Sequence, residues 1–259
     1  MLLVAAGVLG AILGSFLNAL LFRFKTGKGM GGRSRCMRCN HPLRASDLVP
    51  IFSYLFLRAQ CRYCSARISL QYPLVEGLGA VLSMGAFYLH SSNVFLYVFW
   101  LMVWMIVLFI FVYDLRHMII PWSASLSLLA CAAVSLFLHG IFDVRALIAG
   151  VVLALPLFLL SLVSRGVWMG WADSLFELSL GMFLGFSAGF TALLLGIWSG
   201  AIIGVGIILY SKLTPTKRSR EGKAGLTIES EIPFAPFLAF GAALAFFFHV
   251  DFFSTLLLF

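Results

Sequence analysis

Long apolar runs, broken by short polar connections, set the pattern of this chain. Each main run approaches the ~20 residues a helix needs to cross a bilayer. The runs predict eight membrane spans, at 2–22, 73–91, 94–113, 119–138, 146–164, 174–190, 192–211 and 232–250. A transmembrane β-barrel would alternate apolar and polar residues, so the predicted class is an all-α polytopic membrane protein. Two polar segments interrupt the pattern. Residues 23–72 are long enough for a small domain, and residues 212–230 (SKLTPTKRSREGKAGLTIE) read as a basic connection. No internal repeat stands out. Gly77, Gly79, Gly181, Gly185, Gly200, Gly204 and Gly206 fall inside apolar runs, where small residues let helices approach closely.

Composition agrees with the pattern. The chain is 62% hydrophobic and 11% charged, which excludes an ordinary soluble domain of 259 residues. Its net charge of +8 would suggest nucleic acid in a soluble protein. Here the basic residues are better read as marks of cytoplasmic loops, and no nucleic-acid partner is expected. The run Leu2–Leu21 lacks a basic leading segment, and Arg23, Lys25 and Lys28 follow it. It therefore reads as a retained first span with the N-terminus outside rather than a cleaved signal peptide. Alternation then places 23–72, 114–118, 165–173 and 212–231 in the cytoplasm. Of the 18 Lys and Arg residues, all but Arg145 fall in those segments.

The polar segment holds Cys36, Cys39, Cys61 and Cys64 as C-x2-C-x21-C-x2-C. Two such knuckles can supply four thiolates in a tetrahedron, as structural zinc requires. A cytoplasmic setting disfavours the disulfide alternative. Four thiolates leave no open position, so zinc would hold the segment together rather than catalyse. His41 is a spare ligand candidate or polar filler, and Cys131 reads as a small buried side chain.

Asp114 and Asp173 are the main chemical candidates. An ionisable group at the edge of an apolar span is costly and reads as functional. In the predicted topology both lie at the cytoplasmic membrane boundary. Two carboxylates at one depth can share a proton and activate water. The alternative is a structural ion pair with Arg116 or Arg165, or contacts with lipid headgroups. Glu76, Glu177 and Asn18 are further polar groups near or inside spans; Glu177 follows Asp173 by one helical turn. His90, His139 and His249 read as interfacial near the outer face, with His117 beside Asp114. No serine-hydrolase elbow, zinc-protease His-Glu-x-x-His or phosphate-binding glycine loop is present.

Nearly the whole chain resembles the bacterial type IV prepilin leader peptidases, which are membrane aspartic proteases. GSFLNALLFRF (Gly14–Phe24) is similar to that family's first-span signature. SRCMRCNHPL, DLVPIFSYLFLRAQCRYC and ISLQYPLVE resemble its zinc-knuckle segment, and EIPFAPFLAFGA (Glu231–Ala242) its Pro-Phe-Gly-Pro-Phe-Leu stretch. The resemblance implies that Asp114, before Ile120-Pro121, and Asp173, in MGWADSLF, are the catalytic pair. It implies that the four cysteines bind metal. The implied organisation is a first transmembrane helix at 1–22, a four-cysteine zinc domain at 23–72 and a membrane aspartic protease domain at 73–259. The implied substrate is a type IV prepilin or pseudopilin, whose short basic leader is cut at the inner membrane boundary. Many relatives also methylate the new N-terminus with S-adenosylmethionine.

Several positions depart from the family pattern. Ala172 replaces a glycine before the second aspartate, and Leu175 replaces a lysine two positions after it. Trp122 follows Ile120-Pro121 where the family often has Asp, Ala235 replaces the middle glycine of the tail stretch, and Met37 replaces a proline of the first knuckle. They leave open a catalytically impaired member. From another class, a proton-coupled transporter or accessory protein with a zinc domain would also use paired carboxylates. A basic surface facing a basic leader is an electrostatic mismatch, which Glu76, Glu177, Glu229 and Glu231 would offset locally.

Overall fold

The computed structural model describes residues 1–24, 32–138, 142–167, 169–213 and 233–252. The expectations for Lys25, Lys28, His139, Glu229, Glu231 and most of 212–231 lie outside the described residues. Regular structure among the described residues is helical, with only isolated bridges beside it. The helices are α1 (Leu2–Arg23), α2 (Phe52–Phe56), α3 (Gln71–His90), α4 (Val94–His117), α5 (Trp122–Ser135), α6 (Val144–Val163), α7 (Trp171–Leu213) and α8 (Ala235–Phe248). A 3-10 turn, Ala45–Leu48, precedes α2. Helices α1, α3, α4, α6 and α7 are long and apolar enough to cross a membrane, while α5 and α8 are apolar with 14 residues each.

Several boundaries differ from the expected ones, for local reasons. The third span runs past Asp114 to His117, because Met118 N–H still donates to the Asp114 carbonyl at 2.7 Å before Met118 turns to φ 53. The fourth starts late, at Trp122, since Pro121 in extended backbone caps it. The sixth and seventh spans are the two arms of α7, and the break falls at Gly185 rather than near 191. Gly185 has φ 74 and ψ −179, a region open essentially to glycine alone. A straight helix of 43 residues would reach ~65 Å, about twice the hydrocarbon core. Instead the arms fold back: a Cβ placed on Gly189 would lie 3.5 Å from the Cα of Gly181. Eight residues along one straight helix would be ~12 Å apart.

The chain packs as two compact units, Met1–Phe109 and Ile110–Phe259. In the first, α1 lies against α3. The contact is backbone to backbone: a Cβ on Gly10 would meet the Gly79 carbonyl oxygen at 2.2 Å. Buried Ser83 closes the same interface, donating to the Ala6 carbonyl at 2.6 Å and pairing with the Tyr97 hydroxyl at 2.9 Å. Buried polar groups inside a membrane need such partners. In the second unit α7 packs against α5, α6 and α8. Glycines again set the approach: Gly150 meets Gly181, and Gly241 sits on the Ala192 carbonyl. Beyond α8, Asp251 accepts from Ser187 Oγ and Phe252 N–H donates to Thr191 Oγ1, tying that end to the second arm of α7.

Candidate active site and metal centre

Within the second unit, three helix ends bring the carboxylates together. Asp114 lies one turn from the C-terminus of α4 and is 4% exposed. Its Oδ2 accepts the backbone N–H of Ala235, the first residue of α8, at 3.2 Å. The first N–H groups of a helix lack internal partners and carry partial positive charge, so a carboxylate there is held and stabilised. Asp173 stands in the first turn of α7 and is half-buried. Its Oδ2 accepts the Gly170 N–H at 3.0 Å, while its own N–H donates to the Gly170 carbonyl at 3.2 Å. The first bond is the carboxylate half of a capping box; Gly170 has no side chain to supply the other half, and its carbonyl takes the Asp173 N–H instead. Asp114 and Asp173 are close enough for a direct electrostatic interaction. Two acids from distant parts of the chain thus share one apolar neighbourhood. Chemically, such a pair can hold a water and pass protons to and from it.

Neighbouring positions shape this place. A Cβ on Gly170 would stand 3.0 Å from Asp173 Oδ2, so the chain passes close to that carboxylate. Ala172 is buried and Leu175 is half-buried. Glu177 is 1% exposed, and its Oε1 has no hydrogen-bond partner among the described residues. His117 turns back on its own helix, its Nδ1 3.2 Å from the Tyr113 carbonyl and its ring against that of Tyr113.

The four cysteines form a second centre, in the first unit. One Sγ from each lies within 4.8 Å of the others, and Cys36 Sγ is 3.8 Å from Cys64 Sγ. Zinc–sulfur bonds of ~2.3 Å in a tetrahedron place sulfurs about 3.8 Å apart, so the group fits such an ion. The two knuckles are copies of one design. Cys36 N–H donates to the His41 carbonyl and Asn40 N–H to the Cys36 carbonyl; Cys61 N–H donates to Ala66 and Ser65 N–H to Cys61. Bridges Arg35–Pro42 and Gln60–Arg67 flank them. Asn40 and Ser65, at matching positions, take φ 57 and 55. Backbone N–H groups of Cys39 and Arg38 lower the pKa of the Cys36 thiol, while the neighbouring cysteine side chains raise that of Cys64, so in the metal-free group negative charge settles first on Cys36. His41 is not part of the group and packs its ring on Tyr63. Cys131 is buried in α5.

Two further polar groups have structural partners. Buried Asn18 donates to the Tyr72 carbonyl and accepts from Gln71 Nε2, both at 3.3 Å. Buried Glu76 accepts the Ile51 N–H at 2.7 Å. Ile51 has φ 63, and Phe52 N–H reaches the Pro50 carbonyl at 2.6 Å, a γ-turn of the strained hand. Sequence reasoning missed this turn, the Ala235 N–H and the positive φ of Ser65. None is a glycine or a recognised turn pair, so only spacing from the cysteines could have signalled Ser65.

Comparison with known proteins gives a consistent result. Residues 8–90 match the family described as Bacterial Peptidase A24 N-terminal domain, and residues 99–205 match the Type IV leader peptidase family. A prepilin leader peptidase/N-methyltransferase of Aeromonas salmonicida (strain A449) is 33% identical over 218 residues, covering 82% of this chain and 70% of the relative. A protein of the same description from Burkholderia pseudomallei (strain 1026b) is 30% identical over 289 aligned positions, covering 99% and 88%. Another from Legionella pneumophila is 32% identical over 221 residues, covering 83% and 72%. No solved structure matches the chain.

Proposed function

The chain belongs to the type IV leader peptidase family, and from that premise we propose that it is a membrane aspartic endopeptidase that removes the leader from type IV prepilins or pseudopilins. The observation that carries this reading is that Asp114 and Asp173, each accepting a backbone N–H at a helix end, lie in one unit within electrostatic reach of each other. The relatives' names describe the same activity.

In the proposed mechanism the two carboxylates share one proton and hold a water between them. The ionised aspartate takes a proton from that water as its oxygen attacks the scissile carbonyl. The protonated partner gives its proton to the carbonyl oxygen, and collapse of the tetrahedral intermediate returns a proton to the leaving amine. Like charges in an apolar site cannot both ionise cheaply, which favours this arrangement.

The basic residues favour a chain in the bacterial inner membrane with its N-terminus outside. The aspartates and the cysteine group then face the cytoplasm, where a basic leader meets its apolar helix. The reading keeps a first helix at 1–22, a metal-bound segment at 23–72 and a protease portion at 73–259. Cys36, Cys39, Cys61 and Cys64 would hold a structural zinc ion, which cross-links two knuckles of a segment whose described residues 32–70 have little regular structure of their own. The second half of the relatives' names suggests methylation of the new N-terminus, with S-adenosylmethionine as donor. Leu175, two positions after Asp173 where the family pattern has lysine, favours one further reading, a family member that binds prepilin but cuts slowly.

The test is the mass of a type IV prepilin after incubation with the protein and S-adenosylmethionine. Loss of the leader supports the peptidase, and a further methyl group on the product supports the transferase. Intact prepilin beside a folded, metal-loaded enzyme would reject the peptidase reading.

A further inference from the structure

Helix α2 has an apolar face left exposed by the described residues of its unit. Phe52, Leu55 and Phe56 are 61%, 65% and 84% exposed. Their spacing of three and four places them on one side of the helix. Val49, just before the helix, extends the patch and helps line a shallow pocket with Phe52, Phe56 and Arg62. Isolated exposed apolar residues need no explanation, but a contiguous patch does.

The position of α2 relative to α3 says what covers it. Helix α3 has 20 residues, about the 30 Å of the hydrocarbon core, so Gln71 lies near one membrane boundary. Glu76 is five residues further in, or roughly 7 Å along the axis. Its Oε2 binds the N–H of Ile51, the residue that caps α2, at 2.7 Å. The start of α2 is therefore held at the level of the first turns of a membrane span. A five-residue helix is roughly 7 Å long, about the depth of the interfacial layer. Charge points the same way. Residues 32–70 hold seven arginines and one acid, Asp47, which pairs with Arg62 at 2.8 Å. Exposed Arg44, Arg58 and Arg67 complement anionic headgroups.

We propose that α2 is an interfacial anchor whose Phe52, Leu55 and Phe56 side chains insert into the headgroup–acyl boundary of an anionic bilayer. Buried Glu76 and the Ile51 turn fix its depth. The anchor holds the cysteine group, whose third member follows Phe56 by five residues, against the membrane surface. It is independent of the chemistry assigned to the aspartates.

The experiment places a photoreactive benzoylphenylalanine at Phe56 in the full chain, reconstituted in phosphatidylethanolamine–phosphatidylglycerol nanodiscs. Val81, exposed on α3, serves as the lipid-facing reference. Retained metal shows that the labelled segment is folded. A lipid adduct at position 56, as at 81, is the expected result. Labelling at 81 with no lipid adduct at 56 would overturn the proposal. So would an adduct at 56 to an added prepilin peptide that replaces the lipid adduct, since the face would then be a substrate-docking surface.

Discussion

Asp114 Oδ2 accepts the backbone N–H of Ala235 at 3.2 Å, although the two residues are 121 positions apart. This bond fastens the end of α4 to the start of α8 and aims a carboxylate with a backbone group that, of the natural residues, only proline at 235 would remove. An asparagine at 114 keeps an acceptor oxygen for that N–H, and an asparagine at 173 keeps one for Gly170. Asp114→Asn and Asp173→Asn should therefore stay folded and metal-loaded while prepilin cleavage falls by about 10²–10⁴-fold, the usual worth of acid–base catalysis. Cleavage within tenfold of the parent in single-turnover mass spectrometry would remove that aspartate from the chemistry.

Gly170 offers a finer probe of the same place. A methyl there would press on Asp173 Oδ2 at 3.0 Å. Gly170→Ala should displace the carboxylate by a few tenths of an ångström and lower kcat by roughly tenfold or more, since reacting groups tolerate little misplacement. Substrate binding should change little. A KM rise with unchanged kcat would show that Gly170 contacts substrate instead.

Much of this architecture is legible in the chain because a bilayer leaves few choices. An apolar run must be helical to satisfy its own backbone, so every predicted span carries helix. The C-x2-C spacing puts the cysteines into two knuckles, and the structure brings all four together. The break in α7 lies about six residues from where the apolar pattern puts it, because Gly185 is one of many glycines in apolar runs. Its left-handed φ depends on the two arms packing, which no local pattern records. The pattern puts Asp114 just after a span, and the residue lies inside one. The Ala235 N–H is invisible in the sequence for a deeper reason: a backbone donor has no residue type to reveal it.

The metal centre should be separable from the aspartates. Purified protein is expected to contain one zinc ion per chain by elemental mass spectrometry. Cys36→Ser should lose it, because three thiolates bind zinc far less tightly than four at this spacing. Cys131→Ser, altering a buried thiol outside the group, should keep it. A chelator should expose residues 32–70 to protease. Full metal retention in Cys36→Ser would contradict a four-thiolate site.

Gly185 makes the turn of α7 possible by backbone conformation alone, as a Cβ there would meet nothing within 4 Å. Gly185→Ala should cost about 1–3 kcal/mol purely through its φ of 74. Thermal unfolding in detergent should fall accordingly. An unchanged midpoint would mean that the arms can reverse without the glycine conformation.

The α1–α3 contact poses the opposite question, of space rather than conformation. A Cβ on Gly10 would lie 2.2 Å from the Gly79 carbonyl oxygen, and that oxygen belongs to a helix backbone that cannot rotate away. Gly77, on the same helix α3, has open space where its Cβ would be. Gly10→Ala must therefore push two helices apart and should destabilise by about 1–3 kcal/mol or more. Gly77→Ala should be neutral or slightly stabilising, because alanine is the better helix former by up to ~1 kcal/mol. Separation of the helices would also strain the Asn18 bond to the Tyr72 carbonyl and the Ser83 bond to Ala6, which cross the same interface. Hydrogen exchange across 71–79 should thus rise in Gly10→Ala and not in Gly77→Ala. Equal loss of stability in both variants would show that helix propensity, not the backbone contact, governs this interface.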